Sequence, residues 1–68
     1  MDVDRLLTNR ELDVLLLLRQ RFSNKEIASQ LFISPETVRK HAASIYRKLG
    51  VHGRRQAVEA AIRQKLIT

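Results

Sequence analysis

Apolar residues along this chain recur at helical rather than alternating spacing, and capping residues punctuate them at short intervals. Thr8-x-x-Glu11 precedes Leu12, Val14, Leu15, Leu16, Leu17 and Leu18. A hydroxyl three residues before a glutamate satisfies two free N–H groups at a helix start, so the pattern predicts a helix over 9–20. Leu12, Leu15, Leu16 and Arg19 project to one side of it and Val14, Leu17 and Leu18 to the other. A helix that is apolar nearly all round belongs at the centre of a fold, and this one is expected to be the most buried. Ser23-x-x-Glu26 is a second capping box and opens a short helix over 24–31, with Ile27, Ala28 and Leu31 inward.

Ser34-Pro35 starts a third helix over 35–49, because proline at the first helical position gives up an N–H that would be unpaired anyway. Gly50 closes it, behind Arg47 and Lys48, whose charges suit the negative end of the helix dipole. Ala57, Val58, Ala61 and Ile62 line one side of a fourth helix over 54–65. The first seven residues carry no such pattern and read as a flexible tail or linker remnant, leaving 8–68 as one domain. The fold class is all-α, with four helices.

Composition narrows the picture. A chain of 68 residues holds one domain and buries only roughly 60% of its unfolded surface. Without cysteine it has neither a disulfide framework nor a cysteine–zinc cluster, and its core must be aliphatic. The longest apolar run, Val14 to Leu18, is far too short to cross a bilayer, and nothing at the start resembles a secretory leader. The expectation is a soluble, cytoplasmic protein with no membrane partner.

Charge is uneven. The net value is +6, but residues 1–36 hold five Lys/Arg against six Asp/Glu, whereas residues 37–68 hold eight against one. A one-signed stretch on an ordered helix suits a phosphate backbone, and equally suits a solvated basic face. Spacing favours the first. The second and third helices are separated by Phe32, Ile33 and Ser34, with small Ala28 where two backbones approach and Leu31, Ile33 and Val38 around the turn. That is a helix-turn-helix. Projecting 35–49 at about 100° per residue puts Val38, Ala42, Ile45 and Leu49 inward and Glu36, Lys40, Ala43 and Arg47 outward, with Arg39 and Ser44 at the edges. Arg39 and Lys40 can donate to guanine or to phosphate, and Ala43 permits close approach to a thymine methyl, so these three are the expected base contacts.

No Gly-rich phosphate loop or nucleophile beside an oriented base is present. His41 lies at the margin of the inward face and His52 in a loop, which favours packing or a hydrogen bond for the first and makes no metal site. An enzyme is not expected, nor are a catalytic residue, a metal, a cofactor or a small-molecule ligand in this domain.

The run Leu7-Thr8-x-Arg10-Glu11, Ser23-Asn24-Lys25-Glu26-Ile27-Ala28, Ile33-Ser34-x-x-Thr37-Val38-Arg39-x-His41, Ile45-x-x-Lys48-Leu49-x-Val51, Arg54 and Ala57-Val58 resembles the LuxR-type (GerE-like) helix-turn-helix domain over 6–67. The stretch 31–57 is similar to effector domains of MalT-like regulators, and response-regulator transcription factors carry the same kind of domain. The resemblance implies sequence-specific reading of duplex DNA in the major groove by the helix over 35–49, in the regulation of bacterial transcription. It implies phosphate contacts from Asn24, Lys25, Thr37, Arg47 and Lys48. It also implies a homodimer on DNA through Ala57, Val58, Ala61 and Ile62, with RNA polymerase as a candidate partner; the competing role for Val58 and Ala61 is packing onto Leu12 and Leu16. Any sensing domain would lie on a missing N-terminal portion.

Two positions depart from the family pattern. Arg21 stands where relatives usually have glycine, which means either a different turn or about 1 kcal/mol of strain at positive φ. Ala43 stands where relatives often have a polar residue, so Lys40 or Ser44 would have to replace that contact. The alternatives are a sigma-factor promoter-reading domain, expected to end soon after the recognition helix, and a basic helical protein-interaction module. RNA is disfavoured, since no aromatic pair offers a platform for unstacked bases.

Overall fold

A computed structural model describes residues 6–68 as four helices, α1 (Asn9–Arg19), α2 (Asn24–Leu31), α3 (Pro35–Leu49) and α4 (Arg54–Arg63). Both expected capping boxes are formed. The Thr8 hydroxyl accepts from the Glu11 N–H at 3.1 Å while Glu11 accepts from the Thr8 N–H at 2.9 Å, and Ser23 and Glu26 repeat the exchange at 3.1 and 2.8 Å. Ser34 caps α3 through the Thr37 N–H, with Pro35 in the first turn. No side chain caps α4, which starts from Gly53.

All four helices end alike. The chain turns left-handed at Arg21 (φ 68), Phe32 (φ 59), Gly50 (φ 69) and Lys65 (φ 62). In each case the following N–H reaches back to a carbonyl in the last helical turn: Phe22 to Leu17 at 3.1 Å, Ile33 to Ala28 at 3.0 Å, Val51 to Tyr46 at 2.9 Å and Leu66 to Ala61 at 2.8 Å. Each of these followers is an apolar residue packed against the core, which is the hydrophobic contact that commonly accompanies this termination. Lys65 thereby falls outside α4, which stops two residues before the expected boundary, because the turn brings Leu66 and Ile67 onto the core.

The helices α1 and α3 each pack against the three others, whereas α2 and α4 do not pack against one another. The core joins Val14, Leu15 and Leu18 of α1 to Ile27 and Ala28 of α2, Val38 and Ile45 of α3 and the alanines of α4. Two expectations change. Its buried stripe is Glu11, Val14, Leu15 and Leu18, while Leu16 is exposed, so it shares the centre with α3. Leu7, placed in the sequence-based tail, is only 1% exposed and belongs to the core. The remainder of that tail, 1–5, lies outside the described residues.

Candidate nucleic-acid interface

The inward residues expected on α3, Val38, Ala42, Ile45 and Leu49, are all buried. Their burial fixes the rotation of the helix and turns the opposite side to solvent. There Glu36, Arg39, Lys40 and Ala43 line a shallow depression, with exposed Arg47 on the same helix. Arg39, Lys40 and Arg47 carry no ion pair or hydrogen bond among the described residues, so their charges face solvent uncommitted. Ala28 is buried beneath the turn, where the sequence places the close approach of α2 and α3.

Lys25 is exposed at the start of α2. Asn24 beside it is held from the far side of the domain: Arg54, the first residue of α4, donates one guanidinium nitrogen to the Phe22 carbonyl at 2.6 Å and another to Asn24 Oδ1 at 3.3 Å. With its oxygen so engaged, the Asn24 amide keeps its nitrogen, a donor, for another acceptor. The Thr37 hydroxyl pairs with Ser34 Oγ at 2.9 Å beside the α3 cap.

Lys48, one of the expected phosphate contacts, is ion-paired within the fold. Its Nζ lies 2.9 Å from Glu11 Oε1, and Ser44 Oγ donates to Glu11 Oε2 at 2.6 Å. Glu11 is only 5% exposed. Burial alone would raise its pKa, but hydrogen bonds from Ser44, Lys48 and the Thr8 backbone, with the charge of Lys48, outweigh that and hold the carboxyl at about 2. The group is ionised and fully partnered. The charge of Lys48 is therefore paired within the fold, and the Ser44 hydroxyl is committed to Glu11. The exposed Glu26 carboxyl is also lowered, by its hydrogen bonds to Ser23.

The α4 patch is corrected too. Ala57 and Ala61 are fully buried in the core and present nothing to a partner; Val58 is half-buried and Ile62 is 41% exposed. Ala57, Ala60 and Ala61 are the buried residues by which α4 joins the core.

Sequence reasoning missed the Glu11–Ser44–Lys48 cluster and the Arg54 bracket. The i, i+4 spacing of Ser44 and Lys48 was the available signal for the first, but Glu11 lies 33 and 37 residues away from them, and its capping role accounted for it locally. Nothing in the sequence signalled the second.

A sequence model of the family described as bacterial regulatory proteins, luxR family, matches residues 5–61. The spore germination protein GerE of Bacillus subtilis is 55% identical over 58 residues, which cover 85% of this chain and 78% of GerE. The oxygen regulatory protein NreC of Staphylococcus aureus is 41% identical over 66 residues, 97% of this chain but 30% of NreC. Among solved structures, the response regulator ChrA of a heme-sensing two-component system superposes with a TM-score of 0.88 at 48% identity, over 90% of this chain and 30% of ChrA. The transcription factor GerE superposes with a TM-score of 0.79 at 44% identity, over 93% and 94% of the two chains. The likeness thus spans most of GerE and less than a third of the longer regulators.

Proposed function

The chain belongs to the luxR family of bacterial regulatory proteins, transcription regulators that bind DNA through a helix-turn-helix, and from that premise we propose how it does so. The outward face of α3 enters the major groove, with Arg39 and Lys40 donating to base edges and Ala43 closing on a thymine methyl. Lys25, the Asn24 amide nitrogen, Thr37 and Arg47 bind flanking phosphates, and the free N–H groups at the start of α2 add to them. The observation that carries this reading is the set of three cations on α3, Arg39, Lys40 and Arg47, none of them in an ion pair among the described residues, against the single acid Glu36 on the face that burial of Val38 and Ile45 turns outward.

Two copies bind successive half-sites about one helical turn apart, meeting through Val58 and Ile62. The protein acts in the cytoplasm, as a binding module rather than an enzyme, and RNA polymerase is the partner through which occupancy is read out. No helix among the described residues is long and apolar enough to cross a membrane.

Selection of bound duplexes from a random pool tests the reading. A two-fold symmetric motif bound at least about a thousandfold more tightly than scrambled duplex is expected. Equal affinity for both would reduce the function to charge-driven, sequence-blind binding.

A further inference from the structure

The side of α4 turned away from the core carries a stripe of its own. The buried residues of the helix are Ala57, Ala60 and Ala61. Opposite them, at successive helical spacings of three and four, stand Arg55, Val58, Glu59 and Ile62. Arg55 and Glu59 pair with each other at 3.4 Å, their side chains 91% and 60% exposed. A pair so open to water holds its members weakly. Glu59 is the single acid of α4, and Arg19 and Arg21 stand across the cleft that it lines. Two copies meeting here would repel through their arginines without a carboxylate at the joint, which makes the placement of Glu59 decisive.

We infer, on the reading that two copies meet through α4, that Arg55 and Glu59 exchange partners across that interface. Arg55 of each copy leaves its own Glu59 for the partner's Glu59, and the two crossed bridges set which chains pair and in which orientation. An interface between identical chains related by a two-fold axis is self-complementary, so every contact is made twice. With a rise of about 1.5 Å per residue, an antiparallel crossing centred on Val58 leaves Arg55 about 3 Å along the helix from the partner's Glu59. That is well inside the reach of an arginine. The same crossing brings Arg55 level with the partner's Ile62, so its methylene stem covers the isoleucine while its guanidinium meets the carboxylate. A parallel crossing would instead set Arg55 against Arg55. The number of bridges is unchanged by the exchange, but the crossed ones lie beside Val58 and Ile62, where less water remains to screen them. A chain with like charges at these two levels meets repulsion, which is a means of excluding wrong partners.

The test measures cooperativity, the affinity of the full chain for a two-site duplex relative to a half-site duplex. Arg55→Glu alone and Glu59→Arg alone each turn two attractions into repulsions, and each should lower cooperativity by about tenfold or more. An equimolar mixture of the two variants restores opposite charges at both crossings. It should recover most of the cooperativity, with native mass spectrometry finding one chain of each kind on the duplex. A role confined to the helix predicts no recovery, because neither chain in the mixture has its own pair. Should Glu59→Arg melt early, Glu59→Lys takes its place, with the same recovery expected. Ile62→Glu is the control for the interface itself. Two results would overturn the exchange while leaving pairing through α4 intact: cooperativity lost with Ile62→Glu but untouched by either charge variant, or lost in both charge variants and not recovered by their mixture. Cooperativity untouched by all three, or absent from the parent chain, would overturn the α4 pairing and the exchange with it.

Discussion

Phe32 is disfavoured twice over: its backbone is left-handed at φ 59, and its ring is 94% exposed. The turn needs that backbone geometry, because it lets the Ile33 N–H reach Ala28 and brings α3 across α2. Glycine would meet the same need without strain. Phe32→Gly is expected to stabilise the domain by about 0.5–1 kcal/mol, the left-handed penalty less glycine's greater freedom when unfolded. Thermal melting should register a rise of a few degrees; a fall would show that the ring makes contacts that matter. Glu11 gives a prediction of opposite kind. Its carboxyl is held at about 2 in the folded chain, below the usual value near 4.3, so the stabilisation is present at neutral pH and is lost as pH falls from about 5 towards 2. Thermal melting of Glu11→Gln against pH should show less loss over that window, and a lower starting stability by about 2–3 kcal/mol.

At the scale of elements, the inward and outward faces of α3 were legible because a 15-residue helix with four apolar positions in register has one sensible rotation against a core. The base-reading and phosphate roles then predict separable losses. Arg39→Ala should cost about 1–3 kcal/mol on the selected duplex and much less on random duplex, whereas Lys25→Ala should weaken both alike and lower the salt slope by about one. Fluorescence anisotropy across salt concentrations distinguishes them, and equal losses for Arg39→Ala would remove it from base readout. The α4 helix was less legible. Ala57, Val58, Ala61 and Ile62 share a side, but spacing cannot say whether small residues admit a neighbouring helix or await a partner. Burial of Ala57 and Ala61 resolves this in favour of the core. Ile62→Glu is therefore expected to abolish any dimer on a two-site duplex while leaving half-site binding intact, as sedimentation with each duplex would show.

For the whole molecule, helix existence, order and capping could all be read from residues close together in the chain, since each depends on neighbours three or four positions apart. What could not be read was whatever joins distant positions. Lys48 looked like one more surface cation because its partner, Glu11, stands 37 residues earlier. Leu7 looked like tail because a single leucine has no periodicity of its own, and it took the assembled helices to provide the site that buries it. The left-handed ends at Phe32 and Lys65 were hidden by side chains other than glycine, whereas at Arg21 the departure from glycine had raised positive φ as one of two alternatives, and the chain takes it; an apolar residue follows each of the three.

Arg54 carries a last consequence. It bridges α4 to the segment that begins α2, two helices that do not otherwise pack together. The proposed pairing of two copies through α4 and the proposed phosphate capture at Asn24 would therefore be two equilibria that share one guanidinium. Linkage requires any cooperativity between them to be reciprocal: whatever factor DNA adds to self-association, self-association returns to DNA affinity. Arg54→Ala should bring both factors down towards one together, measurable as a loss of binding cooperativity on a two-site duplex with half-site affinity much less affected. Cooperativity that survives the substitution would mean that the two ends of the domain communicate through the core instead.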